Sequence, residues 1–303
     1  MLVHRMLLYL SRSGNLERFF RHNPLTRRTS NRFFAGETRE DALTAARSLN
    51  LKGFKVILDH LAEEVRSLDQ ARQVVAEYCV LLQEIAGRNL DAGLSVKLDS
   101  LGLRLDPEKA FEHLLLIVET AASCNRFVRV DMERSDLTDI TLNMVRRVHA
   151  RHANIGTVIQ AQLRNSGDHV QRLVREGISV RLVKGAYRES PEVAFQNPEE
   201  IDLSFRRLAE MLLRDGFRPA IATHDEKLID FAGDIAFIYG LSERDFEFHM
   251  LYGVRRSLQQ QLLEKGHVVR IYLPYGKNWY GYFMRRLAER PDKLRFLLSH
   301  FSG

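Results

Sequence analysis

The 303-residue chain contains two cysteines, Cys79 and Cys124, which stand apart with no CxxC or Cys-His spacing. Their scarcity excludes a disulfide framework and a structural zinc site, so neither a disulfide nor any metal is expected, and a reducing compartment suits it. Long apolar runs are missing too. LLYL at 7–10 and LLLIV at 114–118 fall far short of the ~20 residues a spanning helix needs, so any membrane contact is expected to be peripheral. Internal repeats and low-complexity linkers are absent. Acids are nearly absent from the start of the chain, where residues 1–39 hold eight Arg and two Glu. That segment carries the whole net charge of +6, and the rest of the chain sums to zero, which argues against a nucleic-acid partner along the main body. An Arg-rich, acid-poor start is also the mark of an organellar transit peptide. Here Phe33-Phe34-Ala35-Gly36-Glu37-Thr38 reads as a turn rather than a cleavage site, and a cytoplasmic protein is expected.

With 45% hydrophobic and 28% charged residues, disorder and coiled coil are excluded and a substantial core is available. From residue 51 onward, short β-branched runs alternate eight times with helical patterns. The runs are 53–58, 94–98, 127–132, 155–160, 178–183, 218–222, 246–251 and 268–273, each followed by an amphipathic stretch. No hairpin turn joins any two of them. Eight such units predict an α/β fold, a parallel (βα)8 barrel over 51–303. An N-terminal helical arm over 1–50 precedes it, with helices at 2–22 and 39–49. A doubly wound dinucleotide-binding sheet fits less well, because no GxGxxG follows the first strand.

A barrel concentrates chemistry where strands end. The ends read Asp59-His60, Lys97-Leu98-Asp99, Asp131-Met132-Glu133, Gln160-Ala161-Gln162, Lys184-Gly185-Ala186-Tyr187, Thr223-His224-Asp225, Leu251-Tyr252-Gly253 and Tyr272-Leu273-Pro274. Polarity resumes at strand ends anyway, so a solvated loop charge accounts for most such residues singly. Lys97 and Asp131 close apolar runs, where a charge is partly desolvated and needs a partner; each is a candidate for the other. Alternation places Arg181 on one face with Ser179 and Val183; turned outward it would meet helix, and turned inward near the mouth it could hydrogen-bond an anionic or electron-rich ligand. Gly185 permits close backbone approach, Thr223 and His224 could donate to a phosphate, and Asp225 suits a helix cap. Six of the chain's 27 aromatics, Tyr272, Tyr275, Trp279, Tyr280, Tyr282 and Phe283, fall within twelve residues. Beyond them Tyr282, Arg285, Arg286 and Glu289 share a helix face, a plausible clamp on a carboxylate.

Five segments resemble the flavin-dependent proline dehydrogenases, in that family's order. They are Ser95-Val96-Lys97-Leu98, Val130-Asp131-Met132-Glu133, Arg181-Leu182-Val183-Lys184-Gly185-Ala186-Tyr187, Ala222-Thr223-His224 and Tyr282-Phe283-Met284-Arg285-Arg286-Leu287. The short length and RFFAGET resemble the monofunctional bacterial branch. The resemblance implies a distorted barrel holding FAD over its strand ends. It implies oxidation of L-proline to Δ1-pyrroline-5-carboxylate, electrons passed to a membrane quinone, and a downstream pyrroline-5-carboxylate dehydrogenase as a possible partner. Hydride removal beside the ring nitrogen needs the neutral amine, whose lone pair stabilises the forming imine, and a carrier to accept the electrons.

By the same resemblance Arg285 and Arg286 bind the substrate carboxylate, Lys97 closes the site near it, and Glu289 holds the arginines. Tyr272, Tyr282 and Leu251 pack around the proline ring. Asp131 orders the site, Arg181 reaches flavin N5, and Gln160 and Met132 contact the cofactor. Lys184, Gly185, Ala186, Thr223 and His224 cradle its pyrophosphate and adenosine half. Two positions depart from the pattern: Asp225 stands where Asn is common and His249 where Gln is expected. A lysine Schiff-base aldolase using Lys97 or Lys184 is the rival reading.

Overall fold

The computed structural model describes Arg18, residues 32–62 and residues 64–288, with the backbone alone for 285–288. The expected helix at 2–22 therefore lies outside the described residues. Eight parallel strands close into a ring in chain order: β1 (Lys55–His60), β2 (Ala92–Val96), β3 (Val128–Val130), β4 (Ile155–Gln160), β5 (Ser179–Val183), β6 (Ala220–Ala222), β7 (Glu247–Leu251) and β8 (Val268–Tyr275). Closure is made by β1 against β8, in register from Lys55 with Arg270 to His60 with Tyr275. Between and beyond the strands run α1 (Arg39–Asn50), α2 (Leu68–Gly87), α3 (Pro107–Ser123), α4 (Thr138–His149), α5 (Ser166–Arg175), α6 (Pro198–Asp215), α7 (Glu226–Ile238), α8 (Arg256–Glu264) and α9 (Trp279–Ala288).

The strands sit where the apolar runs fall, and their limits shift for local reasons. Strand β6 starts at Ala220, because Arg218 adopts a left-handed φ of 44° and Pro219 has no N–H to give the ladder. Strand β2 stops at Val96, and a short 3₁₀ turn over Leu98–Leu101 carries the chain away. The helices begin on the expected devices. Thr38 and Asp41 form a reciprocal capping box at α1, Asp106 and Asn197 cap α3 and α6 ahead of Pro107 and Pro198, and Asp225 caps α7.

Alternation divides the strand residues into two sets. Val56, Leu58, Leu94, Val96, Val128, Val130, Val269 and Ile271 join the core beneath the helices, to which Ala42, Leu43 and Ala46 of α1 also belong. The inward set mixes apolar residues such as Val158 and Val183 with a series of charged ones. Deep in the ring Arg270 donates to Glu247 through Nε (2.7 Å) and Nη2 (2.8 Å), Lys55 lies 3.6 Å from the same carboxylate, and His249 Nε2 is 2.9 Å from it. Arg129 donates to the carbonyls of Thr157 (3.1 Å) and Ser179 (2.8 Å); burial, with Arg181 nearby, pushes its pKa down to about 9. Barrels of this type usually fill the centre with layers of Val, Ile and Leu. Here much of that space is taken by paired charges, from Glu247 and Arg270 at the floor to Asp131 and Arg181 at the mouth.

A segment ahead of α1 straps across to α9. Phe34 stacks on Trp279 with centroids 4.8 Å apart and planes 7° from parallel, and Trp279 Nε1 donates to Glu37 (2.8 Å). Ala35 N–H bonds the Pro274 carbonyl (2.8 Å), and Gly276 N–H bonds that of Gly36 (2.9 Å). The turn read at 33–38 is thus a clamp on the start of α9.

Gly156 faces the crowded floor, where a Cβ would sit 2.5 Å from the Ser179 carbonyl and 2.8 Å from Arg129 Nη1. Gly156→Ala should therefore cost about 1–3 kcal/mol. Gly233, inside α7 with nothing near a would-be Cβ, offers the opposite: Gly233→Ala should add about 0.5–1 kcal/mol. Chemical denaturation of both variants checks the pair.

Candidate active site

Asp131 follows β3, is 9% exposed, and gathers neighbours from around the ring. Its Oδ1 accepts from Ser95 Oγ of β2 (2.6 Å) and from Arg181 Nη2 of β5; its Oδ2 accepts from Tyr272 of β8 (2.9 Å). Arg181 also lies 5.3 Å from the Tyr272 ring centroid. Burial alone would raise the Asp131 pKa, but Arg181 and Lys97, with the two hydroxyl donors, hold it below the usual carboxylate range.

Lys97 reaches the same centre, although Asp131 is only its second partner. Its Nζ is 2.5 Å from Asp59 Oδ1 and 3.6 Å from Asp131 Oδ2. The expected pairing of Lys97 with Asp131 is present but shared, because Asp59, buried at the end of β1, is nearer to Lys97, while Arg181 takes the better geometry on Asp131. Burial would lower the Lys97 ammonium, yet the two carboxylates outweigh it and hold its pKa above the normal value. A third of the Lys97 side chain remains exposed, toward a cavity of about 460 Å³.

That cavity opens over the strand ends, and its wall includes Met132, Gln160, Arg181, Lys184, Gly185, Ala186, Thr223, His224, Leu251, Tyr272 and Tyr282. Gln160 donates to the Glu133 carbonyl (2.8 Å) and His224 Nε2 accepts from the Leu251 N–H (3.0 Å). Gly185 has φ of 120°, and a Cβ there would run into Gln162 at 2.3 Å, so only glycine fits this bend. Lys184 is held by Asp202 (2.5 Å) and by Asp225 (3.0 Å), which also accepts from the Lys227 N–H as cap of α7. Both candidate Schiff-base lysines are thus fixed as ammonium ions beside carboxylates, the opposite of the neutral amine that imine formation needs.

The family model described as proline dehydrogenase matches residues 42–297. The chain belongs to that family. It is 37% identical to proline dehydrogenase 2 of Bacillus subtilis over 98% of this chain and 97% of the relative. Identity to the proline dehydrogenase of Deinococcus radiodurans is 35%, over 88% of each. In fold the chain is similar to proline utilization A from Bdellovibrio bacteriovorus, with a TM-score of 0.81 at 23% identity, over 86% of this chain and 32% of that one. Family membership makes the chain a dehydrogenase and removes the aldolase reading.

Of the residues given a role from sequence, Lys97, Asp131, Met132, Gln160, Arg181, the 184–186 segment, Thr223, His224, Leu251, Tyr272 and Tyr282 meet around this one cavity, whereas strand-end residues such as Asp99, Gln162 and Tyr252 do not line it. Arg285 and Arg286 lie on α9 downstream of Tyr282, with their side chains outside the described residues, as is the whole of Glu289. Sequence reasoning assigned no role to Asp59, Ser95, Glu133 or Tyr187. All four stood in strand-end or motif segments, but nothing local marks which partner each meets across the ring. His249, the departure from the family pattern, lines the inner wall and pairs with Glu247.

Burial, offset in part by Glu247, pushes the His249 imidazole down to about 3. Between its ordinary 6.5 and that value the unfolded chain binds a proton that the folded chain refuses, so stability falls as pH falls through this window. The slope is at most about 1.4 kcal/mol per pH unit. His249→Gln, which does not titrate, should flatten the acid limb between these two values in urea denaturation; an unchanged limb would show that another group sets it.

Proposed function

We propose that the chain oxidises L-proline to Δ1-pyrroline-5-carboxylate, with FAD as its cofactor and a membrane quinone as electron acceptor. The observation that carries this is the cluster of Asp131, Arg181, Lys97 and Tyr272 in the wall of a cavity above the strand ends. The donor set suits a flavin nucleotide. Gly185 turns the backbone of the wall at a φ of 120°, Thr223 and His224 precede the positive end of α7, and Arg181 presents a buried cation. Lys184, Gly185, Ala186, Thr223 and His224 would hold the pyrophosphate and adenosine half, and Met132 and Gln160 the ring system. Bound there, the isoalloxazine would supply the hydride acceptor that no side chain provides.

The chain's own groups do the rest. Arg181 would stabilise negative charge gathering near it, and Asp131 would keep Arg181, Lys97 and Tyr272 in register. The Lys97 ammonium would meet the substrate carboxylate with Arg285 and Arg286, which Glu289 would steady. Leu251, Tyr272 and Tyr282 would enclose the apolar ring and exclude water. No helix among the described residues is long and apolar enough to cross a membrane, so the proposed quinone is met peripherally, from the cytoplasmic side. The basic segment 1–39 would assist on anionic lipid. A pyrroline-5-carboxylate dehydrogenase would consume the product.

The purified protein should be yellow and bleach when L-proline is added without oxygen; a colourless protein, or a flavin that proline leaves oxidised, overturns the reading. Lys97→Ala and Asp131→Ala should keep the flavin and lose bleaching. Asp225→Asn retains a good helix cap while removing an anion beside Lys184, and should tighten FAD binding by roughly two- to fivefold. Flavin fluorescence titration measures this, and weaker binding would place the diphosphate elsewhere.

A further inference from the structure

Among the described residues three carboxylates line the cavity, and two are matched by cations: Asp59 by Lys97, and Asp131 by Arg181 and Lys97. The third is Glu133, two residues beyond Asp131. Its carboxylate accepts from the Tyr187 phenol, and among the described residues no cation comes within ion-pair distance of it. The charged groups around it are Lys97 and Asp131 within the wall, and Asp99 and Arg104 from the β2–α3 connection. Burial raises its pKa, Lys97 and Tyr187 counter in part, and Asp131 and Asp99 add to the rise.

A substrate that is a secondary ammonium in water brings the cation this carboxylate lacks. Resting on the proline reading of the site, we propose that Glu133 is the base that takes the proton from the substrate's ring ammonium before oxidation. The N–H bond breaks, its electron pair stays on nitrogen, and the proton passes to Glu133, leaving a neutral amine beside a neutral carboxyl with no change in oxidation state. The lone pair so exposed is what imine formation requires. The other wall groups are unsuited: Lys97 is already held as an ammonium, Asp131 is held ionised by its donors, and His224 Nε2 is occupied by the Leu251 N–H. Glu133 is only partly buried, so it can return its proton to water between turnovers.

The test is kcat/KM for L-proline on flavin-loaded enzyme from mildly acidic to alkaline pH. In the wild type it should level off once Glu133 is ionised. In Glu133→Gln it should be at least about a hundredfold lower at neutral pH. It should then climb about tenfold per pH unit, because the variant must wait for proline deprotonated in solution. A purely structural role would show no alkaline rescue. Tetrahydrofuran-2-carboxylate, with oxygen in place of the ring nitrogen, should inhibit both forms equally, and Glu133→Asp should keep the wild-type profile shape. Parallel profiles for wild type and Glu133→Gln, or equal loss of affinity for proline and the oxygen analogue, overturn the role of Glu133. A wild type that proline does not bleach overturns the proline reading instead.

Discussion

A carboxylate that keeps only about a tenth of its surface at the mouth of a closed ring has little water to solvate it, and Asp131 is held ionised because Arg181, Ser95, Tyr272 and Lys97 all reach it. An unpaired charge in such a place would cost several kcal/mol. The partners come from β2, β5 and β8 as well as from the loop after β2, so the pairing spans the ring. Ion pairs and carbonyl contacts around Glu247 and Arg129 continue the pattern beneath it. Well-packed aliphatic side chains often give equal or greater stability than buried ion pairs. The polar interior is thus better understood as support for the chemistry at the mouth than as a source of stability.

The same network sorts protonation states. Lys97 and Lys184 each sit between two carboxylates and stay charged, while Asp131 stays ionised under its donors. Glu133 is the group left with a different balance, facing a phenol instead of a cation. Environments that push neighbouring carboxyls apart in this way are how one site holds an electrostatic anchor and a titrating group side by side.

Much of this was legible along the chain. Runs such as 155–160 and 178–183 are apolar, β-branched and bounded by turns, and both became strands within a residue of their limits. Alternation groups Arg181 with Ser179 and Val183 on one face, and closure of the ring makes that face the inner one. What could not be read was pairing across the ring. Asp59 and Lys97 are 38 residues apart, and the register of β1 on β2, which sets Asp59 beside Ser95, brings the carboxylate nearer to the ammonium than Asp131 is. The later start of β6 has one cause that the sequence displays, Pro219, and one that hydropathy does not, the left-handed backbone at Arg218.

The strap joining Phe34 and Glu37 to Trp279 bridges 242 positions of sequence. During synthesis, its first half leaves the ribosome long before the helix it clamps has been translated. Phe34, 3% exposed in the finished barrel, must wait uncovered meanwhile, an apolar surface that chaperones could recognise. Competence at the mouth therefore arrives late and all at once: α9 begins only four residues after β8 ends, so the last strand that closes the ring and the helix that the strap clamps are made almost together.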